Sequence, residues 1–269
     1  MPRLLMNRAR LVLLMTLLSA CSTPQKTEPP APVIKDGSPE NITIDVSDIP
    51  DAVPRYEPWS TSGNPEFYVV LGETYHVLST NKNYRQQGIA SWYGTKFHQK
   101  KTATGEVYDM WAMTAAHKTL PIPSYVQVTN LDNQRSIIVR VNDRGPFHAH
   151  RIIDLSFAAA ARLGLEKAGT GFVDVVAIQP GDVKASTNSE PAKKVYYQVG
   201  AFATQENATL LQESLSAVQL TKHRIVTVSE LESKLFKVQI GPISSVTEAD
   251  IINAKLKEIG LESGHYISE

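Results

Sequence analysis

The sequence predicts a mainly β domain followed by a smaller α+β domain, and three observations carry that prediction. Short runs of β-branched and aromatic residues recur between residues 88 and 179, separated by turn residues. From residue 193 onward the pattern becomes strand, helix, strand, strand, helix, strand, which is the order of a split βαβ fold. Residues 180–192 are polar and predict a linker. Because six strands within about ninety residues suit a small closed barrel, we expect a barrel in the first domain.

One helix and a hairpin accompany the six predicted barrel strands. The helix is predicted at 157–163, since this run is rich in alanine and Gly164 follows it as a C-cap. The hairpin, at 67–71 and 75–78, belongs to an extension of residues 66–87 that we expect to pack on the barrel. The predicted strands are 88–93, 112–116, 124–130, 136–142, 152–155 and 173–179.

The C-terminal domain, residues 193–269, is predicted from alternating apolar residues. Val195, Tyr197 and Val199 share one face of its first strand and are the expected core. The other face is expected to be open to a ligand and to carry Tyr196, Gln198, Lys237 and Gln239. The predicted strands are 195–202, 224–228, 235–240 and 265–268, and the predicted helices are 206–217 and 249–259.

The N-terminus has the pattern of a secretory signal peptide over residues 1–20. Arginines precede an apolar run at 11–18 that is too short to span a bilayer, and small residues precede Cys21. Cys21 is the only cysteine, so a disulfide framework and a cysteine-based metal site are both excluded. Residues 22–65 hold nine of the sixteen prolines, so we expect a disordered tether over residues 21–65.

The charge balance argues against a nucleic-acid partner. The chain has 27 basic and 27 acidic residues, which gives no bulk attraction to a polyanion. Residues 193–269 hold eight basic and nine acidic residues and have no motif of stacking aromatic residues, so RNA is not an expected ligand of the C-terminal sheet.

Candidate chemistry is concentrated at the end of the predicted strand 136–142. Asp143 follows this strand and stands beside Arg144, just before a Gly-Pro pair that ends the strand. A second carboxylate, Glu106, and an imidazole, His117, precede it in the chain. These three side chains form a candidate acid–base site.

At these residues the chain strongly resembles the RlpA (rare lipoprotein A) family of septal lytic transglycosylases. The matching segments are Ala90-Ser91-Trp92-Tyr93-Gly94, Thr102-Ala103-Thr104-Gly105-Glu106, Thr114-Ala115-Ala116-His117 with Met113 before it, and Val141-Asn142-Asp143-Arg144-Gly145-Pro146-Phe147. The resemblance implies a double-psi β-barrel over 88–179 and a SPOR domain over 193–269 that binds glycan strands stripped of stem peptides. It also implies that Glu106, His117 and Asp143 are needed for activity.

A lytic transglycosylase cleaves the MurNAc–GlcNAc bond without water and leaves a 1,6-anhydro sugar. Such a reaction needs one positioned acid/base and neither a metal nor another cofactor. We assign this role to Asp143 and a supporting role to Glu106, although the sequence alone leaves the reverse assignment open. For His117 we expect a hydrogen bond that orients one carboxylate; a proton-carrying role and a packing role remain alternatives.

Further residues of the matching segments are expected to contact the glycan. Arg144 could also hold Asp143 ionised, which would oppose an acid role. His148-Ala149-His150 offers a weak metal-binding pattern with His117 or Asp143. The expected substrate-binding residues are Trp92, Tyr93, Thr102, Thr104, Asp109, Asn142 and Arg144, and in the SPOR domain Tyr196, Gln198, Lys237 and Gln239.

The segment Leu18-Ser19-Ala20-Cys21 resembles a bacterial lipobox, in which Cys21 would be acylated. Ser22, with no aspartate at this position, fits sorting to the outer membrane. We therefore expect an anchor in the lipid bilayer at the periplasmic face of the outer membrane, enrichment at the septum and partners in the division machinery. An ordinary signal peptide with an incidental cysteine is the alternative.

Two other functions are compatible with the sequence. A non-catalytic, expansin-like protein would bind peptidoglycan and loosen the wall without cleaving it. An ordinary hydrolase would leave reducing ends in place of anhydro ends, a difference of one water in product mass.

Overall fold

The computed structural model describes residues 36–39, 45–181, 193–230, 233–261 and 263–269. The predicted signal peptide, Cys21 and nearly all of the predicted linker lie outside these residues. Within the described ranges, no helix is both long and apolar enough to cross a membrane.

A closed six-stranded barrel forms the first domain, as predicted. A hairpin of β1 (Phe67–Val70) and β2 (Glu73–His76) precedes it. The barrel strands are β3 (Arg85–Tyr93), β4 (Thr114–His117), β5 (Ser124–Asn130), β6 (Ser136–Asp143), β7 (Arg151–Ser156) and β8 (Gly171–Ile178). They close in the order β3-β7-β4-β6-β5-β8. The β3–β7 and β4–β6 pairs are parallel and the others antiparallel, which confirms the double-psi barrel.

Alternating apolar side chains fill the barrel. On β6, Ile137, Val139 and Val141 point inward and are buried, since successive residues of a strand face opposite sides. Each such side chain contributes roughly 1.5–3 kcal/mol when fully buried. The other strands add Ala90, Ala115, Val126, Val128, Ile153, Leu155, Val173 and Val175 to the same core.

The predicted helix is confirmed as α1 (Phe157–Leu163). The Ser156 side chain accepts a hydrogen bond from the N–H of Ala159 at the N-terminus. Gly164 ends the helix in the left-handed conformation, with φ of 79°, which a residue with a Cβ adopts at a cost. These caps fix the bounds that the sequence predicted.

The tether prediction is wrong for residues 45–65, which lie along the barrel surface. The N–H of Ala52 donates to Ile138 O at 3.0 Å, and the N–H of Ser60 donates to Ile122 O at 2.9 Å. Ile49 and Ala52 also pack against the barrel core. This segment has too few apolar residues to fold alone, but the barrel supplies the hydrogen-bond partners that its composition does not reveal.

The C-terminal domain has the predicted split βαβ order. Its elements are β9 (Val195–Phe202), α2 (Gln205–Ala217), β10 (His223–Glu230), β11 (Ser233–Ile243), α3 (Val246–Glu258) and β12 (His265–Ser268). The sheet order is β10-β11-β9-β12, with antiparallel pairs throughout. As expected, Val195, Tyr197 and Val199 are buried in a core with residues of both helices. Near this core the Phe172 ring of the barrel lies 5.3 Å from the Tyr266 ring.

Candidate active site

The strand register places Asp143 on the outer wall of the barrel. Ala115 of β4 pairs with the core residues Val141 and Leu155, whereas Ala116 pairs with Asp143 and Asp154. The β4–β6 register shifts between these two positions and skips one residue of β6. Such a bulge re-aims a side chain, and here it turns Asp143 away from the core.

A loop folds over the end of β6 and completes the site. An isolated bridge between Lys101 and Val107 closes this loop. Within it, the N–H of Ala103 donates to Asp143 Oδ1 at 2.8 Å, and the N–H of Thr104 donates to Asn142 O at 3.4 Å. The matching segment that ends in Glu106 is thereby held against the strand that ends in Asp143.

Asp143 is half-buried and holds its proton more tightly than an ordinary aspartate. Burial raises the pKa of its carboxyl, and this effect outweighs the N–H groups of Ala103 and Arg144 and the charge of Arg144, which lower it. Both N–H groups donate to Oδ1 at 2.8 Å. The two N–H groups stabilise the carboxylate when a proton leaves.

The surroundings of Glu106 favour its ionised form. Arg140 donates to both carboxylate oxygens, from Nη1 at 2.8 Å and from Nη2 at 2.9 Å, and Asn142 Nδ2 donates at 2.7 Å. These contacts, led by the hydrogen bond from Arg140, lower the pKa of Glu106. With 43% of its side chain exposed, Glu106 is an ionised group at the edge of the site.

A further carboxylate shares Arg140 with Glu106. Glu57 accepts from Arg140 Nε at 3.0 Å and from Nη2 at 2.8 Å, and Tyr125 donates its hydroxyl hydrogen to the same carboxylate. The hydrogen bond from Arg140 is the largest of the effects that lower the pKa of Glu57 to about 2. The segment predicted to be a tether thus contributes to the site, and the sequence analysis missed both Glu57 and Arg140.

His117 does not orient either carboxylate, so that prediction is wrong. Its ring is 1% exposed, and Nδ1 accepts from the N–H groups of Thr119 at 3.1 Å and Leu120 at 3.0 Å. The proton is therefore on Nε2, which donates to the Tyr84 hydroxyl at 2.8 Å. Burial lowers the pKa of His117 to about 3, which excludes a proton carrier at neutral pH.

Arg144 positions the turn, and its charge lowers the pKa of Asp143 by less than burial raises it. Its guanidinium donates to Gly63 O at 3.0 and 2.8 Å, to Asn64 Oδ1 at 2.9 Å and to Leu120 O at 2.6 Å. Nη1 also donates to His117 O at 3.1 Å. These donors are directed at protein oxygens, and the substrate contact of Arg144 stays a prediction. The imidazole of His117 and the guanidinium of Arg144 instead fix the backbone on one side of Asp143.

The remaining predicted contacts divide into two groups. Tyr93 is 7% exposed and stacks on Tyr108 at 4.1 Å, so the prediction of sugar stacking is wrong for this ring. Trp92 is partly exposed with its edge toward Phe157, and its sugar contact stays a prediction. So do the contacts of Thr102 and Thr104, whose hydroxyls hydrogen bond to each other at 2.9 Å, and of the exposed Asp109.

Asn142 is 4% exposed and lies between the two carboxylates in the chain. Its Nδ2 donates a hydrogen bond to Glu106. Its Oδ1 is buried and has no hydrogen-bond partner among the residues that the structure describes. A buried carbonyl oxygen without a partner is costly. The substrate contact of Asn142 stays a prediction.

Asp154 is a half-buried carboxyl group near Asp143 that the sequence analysis missed. It lies on β7, paired with Ala116, and Ser91 donates its hydroxyl hydrogen to Asp154 Oδ1. A carboxylate in the middle of the apolar run Ile152 to Leu155 was the available signal, since charged residues are seldom buried without a partner.

Over the described ranges, no group of three or more His, Cys, Asp and Glu side chains could hold a metal ion. His148 and His150 are exposed.

The predicted open face of the C-terminal sheet is partly covered. The guanidinium of Arg224 lies 3.7 Å from the Tyr196 ring centroid, and its Nε donates to Gln239 Oε1 at 2.8 Å. Gln239 is 2% exposed, so the prediction that Tyr196 and Gln239 are accessible is wrong in this arrangement. Gln198 and Lys237 are partly exposed, and their glycan contact stays a prediction.

Fold and site together define a double-psi barrel of lytic-transglycosylase type that carries a SPOR domain. Residues 85–175 match the family model described as a lytic transglycolase, and residues 191–267 match the SPOR domain model. Two curated relatives share 40% identity with the chain. One, from Pseudomonas aeruginosa, aligns with 86% of this chain and 87% of its own length. The other, from Vibrio cholerae, aligns with 96% of both. Both are named endolytic peptidoglycan transglycosylase RlpA.

The chain belongs to the RlpA family. A crystal structure of the RlpA SPOR domain from Pseudomonas aeruginosa is 32% identical to this chain over 27% of the chain and 96% of that domain, with a TM-score of 0.26.

Proposed function

We propose that this protein is a lytic transglycosylase that cleaves MurNAc–GlcNAc bonds of peptide-free peptidoglycan strands and leaves 1,6-anhydroMurNAc ends. The observation that carries the proposal is the contrast between two neighbouring carboxyl groups. Burial raises the pKa of Asp143, whereas Arg140 lowers the pKa of Glu106. This contrast supports Asp143 as the acid, because the acid of such a pair is the carboxyl group with the raised pKa.

In the proposed first step, Asp143 Oδ2 donates its proton to the glycosidic oxygen as the bond between that oxygen and C1 breaks. The N–H groups of Ala103 and Arg144 stabilise the carboxylate that forms. The sugar left behind carries positive charge at C1 and the ring oxygen.

In the second step, ionised Asp143 removes the proton from the C6 hydroxyl of the same sugar as O6 bonds to C1. The carboxyl regains its proton, no water is consumed, and the product is a 1,6-anhydro sugar. Glu106 remains ionised throughout. Its negative charge would stabilise the positive sugar or accept from a sugar hydroxyl.

Product analysis tests this mechanism. The full chain, purified in detergent, would be incubated with denuded glycan strands and the products weighed by mass spectrometry. We expect ends that are one water lighter than hydrolysis products. Asp143→Asn should lower turnover by at least about 10²–10⁴-fold, because the amide cannot give up a proton.

The control is Asp132→Asn, which alters an exposed carboxyl before the start of β6 and should leave turnover unchanged. Reducing ends would indicate a hydrolase and contradict the transglycosylase. Binding to sacculi with no new ends would support an expansin-like protein instead.

The proposed location follows from the N-terminal pattern and the SPOR match. Acylation of Cys21 would anchor the protein at the periplasmic face of the outer membrane, and the SPOR domain would concentrate it on denuded strands at the septum, beside the division machinery. Cys21→Ser should release the mature protein from the membrane fraction. A variant that stays in that fraction would contradict the lipid anchor.

A further inference from the structure

Asp154 is a second half-buried carboxyl group on the wall that carries Asp143, and the proposed mechanism does not use it. Ser91 pairs with Asp154, Asp154 pairs with Ala116, and Ala116 pairs with Asp143. Four adjacent strands thus carry these residues in one row, with side chains on the same face. At roughly 4.8 Å for each of two strand spacings, the Cα atoms of Asp143 and Asp154 lie about 10 Å apart.

The carboxyl of Asp154 is fixed at one oxygen, and its other oxygen lies beside the turn that follows Asp143. Ser91, which is buried, donates to Oδ1. A methyl group placed on Gly145 would be 4.0 Å from Asp154 Oδ2 and 3.8 Å from Ala116 Cβ. Gly145 has φ of 136°, a conformation that side chains disfavour, so it keeps this space open.

The surroundings of Asp154 raise its affinity for a proton. Burial is the largest effect and raises the pKa of this carboxyl, and the charge of Asp36 adds to it. The hydrogen bond from Ser91 and the charges of Arg151 and Lys118 act in the opposite direction. The Tyr93 hydroxyl lies within the electrostatic range of both Asp143 and Asp154. A neutral carboxylic acid in such a site can donate a hydrogen bond.

We infer that Asp154, positioned by Ser91, is a second substrate-contacting carboxyl whose Oδ2 donates a hydrogen bond to the sugar bound beside Asp143. The acceptor is an oxygen of an N-acetylated hexose, either the N-acetyl carbonyl or a hydroxyl. Ser91 is a positioning residue, since it acts only through Asp154. This inference rests on the proposed function and assigns Asp154 to the same cleft.

Four substitutions test it in the full chain in detergent, with kcat and KM measured on denuded strands. Asp154→Ala should lower kcat/KM by about 10²-fold, mainly through kcat. Asp154→Asn should stay within about tenfold of wild type, because its Nδ2 can donate to the sugar while its Oδ1 accepts from Ser91. Ser91→Ala should lower kcat/KM by about tenfold. Ser91→Thr restores the hydroxyl and should return kcat/KM to the wild-type value.

The matched control is Asp132→Asn, which lies before the start of β6, while Asp143 lies at its end; β6 itself spans about 23 Å at roughly 3.3 Å per residue. Two outcomes would overturn the inference and leave the proposed function standing. One is wild-type kinetics in Asp154→Ala, and the other is a folded Asp154→Asn that is as inactive as Asp154→Ala. If Asp154→Ala does not fold, Asp154→Asn and Ser91→Ala test the inference in its place. A fully active Ser91→Ala would then overturn the inference. A wild type that releases no anhydro product ends both proposals.

Discussion

The buried imidazole of His117 shows how a residue of a matching segment can act through the backbone. His117 accepts two backbone N–H groups and donates to Tyr84, and its backbone oxygen accepts from Arg144. Arg144 in turn shapes the turn that holds Asp143. The effect of His117 on turnover would therefore pass through the backbone and not through proton transfer.

Substituting His117 should change the pH dependence of stability. The unfolded chain binds a proton near the usual pKa of about 6.5, while the folded chain does so only near about 3. Stability is therefore complete above about pH 6.5 and falls by roughly 1.4 kcal/mol per pH unit below it. His117→Gln should lower Tm at pH 7 but reduce the further drop in Tm between pH 7 and 5.

Circular dichroism of the full chain at the two pH values checks this prediction. His148→Gln is the control, since His148 is exposed. An equal drop in Tm for wild type and His117→Gln would mean that His117 is not buried neutral.

At the scale of elements, residues 45–65 act as part of the barrel and not as a spacer. Glu57 bonds to Arg140, which also holds Glu106, and Asn64 Oδ1 accepts from Arg144. Asn64 also accepts from the N–H of Ile122 at 2.7 Å. One irregular segment thus supports both carboxylates of the site.

Glu57→Gln should therefore weaken both fold and site. The pKa of Glu57 is lowered to about 2, so its contribution is present above the unfolded value of about 4.5 and is lost as pH falls toward 2. At pH 7 we expect a loss on the order of 1–3 kcal/mol, together with lower turnover, because Arg140 loses one charged partner.

Thermal unfolding and kcat/KM at pH 7 measure both effects. The exposed Glu66→Gln serves as the control. Unchanged Tm and turnover in Glu57→Gln would show that the segment is a passive tether after all.

The elements could be predicted from local pattern, whereas the electrostatics of the site could not. Periodicity and the cap at Gly164 located the barrel strands and α1, since both signals act within a few residues. The pairing of Glu57 with Arg140 spans 83 residues, and a Pro-rich segment gives no local signal for it. The motifs identified Asp143 and His117 as candidates. Their different roles follow only from the bulge after Ala115 and from the hydrogen bonds at His117 Nδ1.

At the scale of the whole molecule, the SPOR domain should affect substrate capture more than chemistry. A second binding module raises the local substrate concentration without touching the reacting bond. A chain ending at residue 181 should have KM on denuded strands raised by about tenfold or more, with kcat within about threefold of the full chain.

Kinetics of the two chains test this division of labour. The truncation exposes Phe172, which lies against Tyr266 in the full chain, so Tm is measured in parallel. An unchanged KM would assign substrate capture to the barrel alone, and a lost kcat in a folded truncated chain would give the SPOR domain a part in the reaction itself.

The contacts of Asp36 with the barrel limit how far the barrel can lie from a lipid anchor at Cys21. Its Oδ1 accepts from the N–H of Gly94 at 3.0 Å and of Lys96 at 3.2 Å. If Cys21 is acylated, fifteen residue steps separate the lipid from Asp36, which allows at most roughly 50–54 Å of extended chain. A tether that ran from Cys21 to residue 65 would allow about three times that distance. With the shorter tether, this enzyme would reach only glycan in the layer nearest the outer membrane.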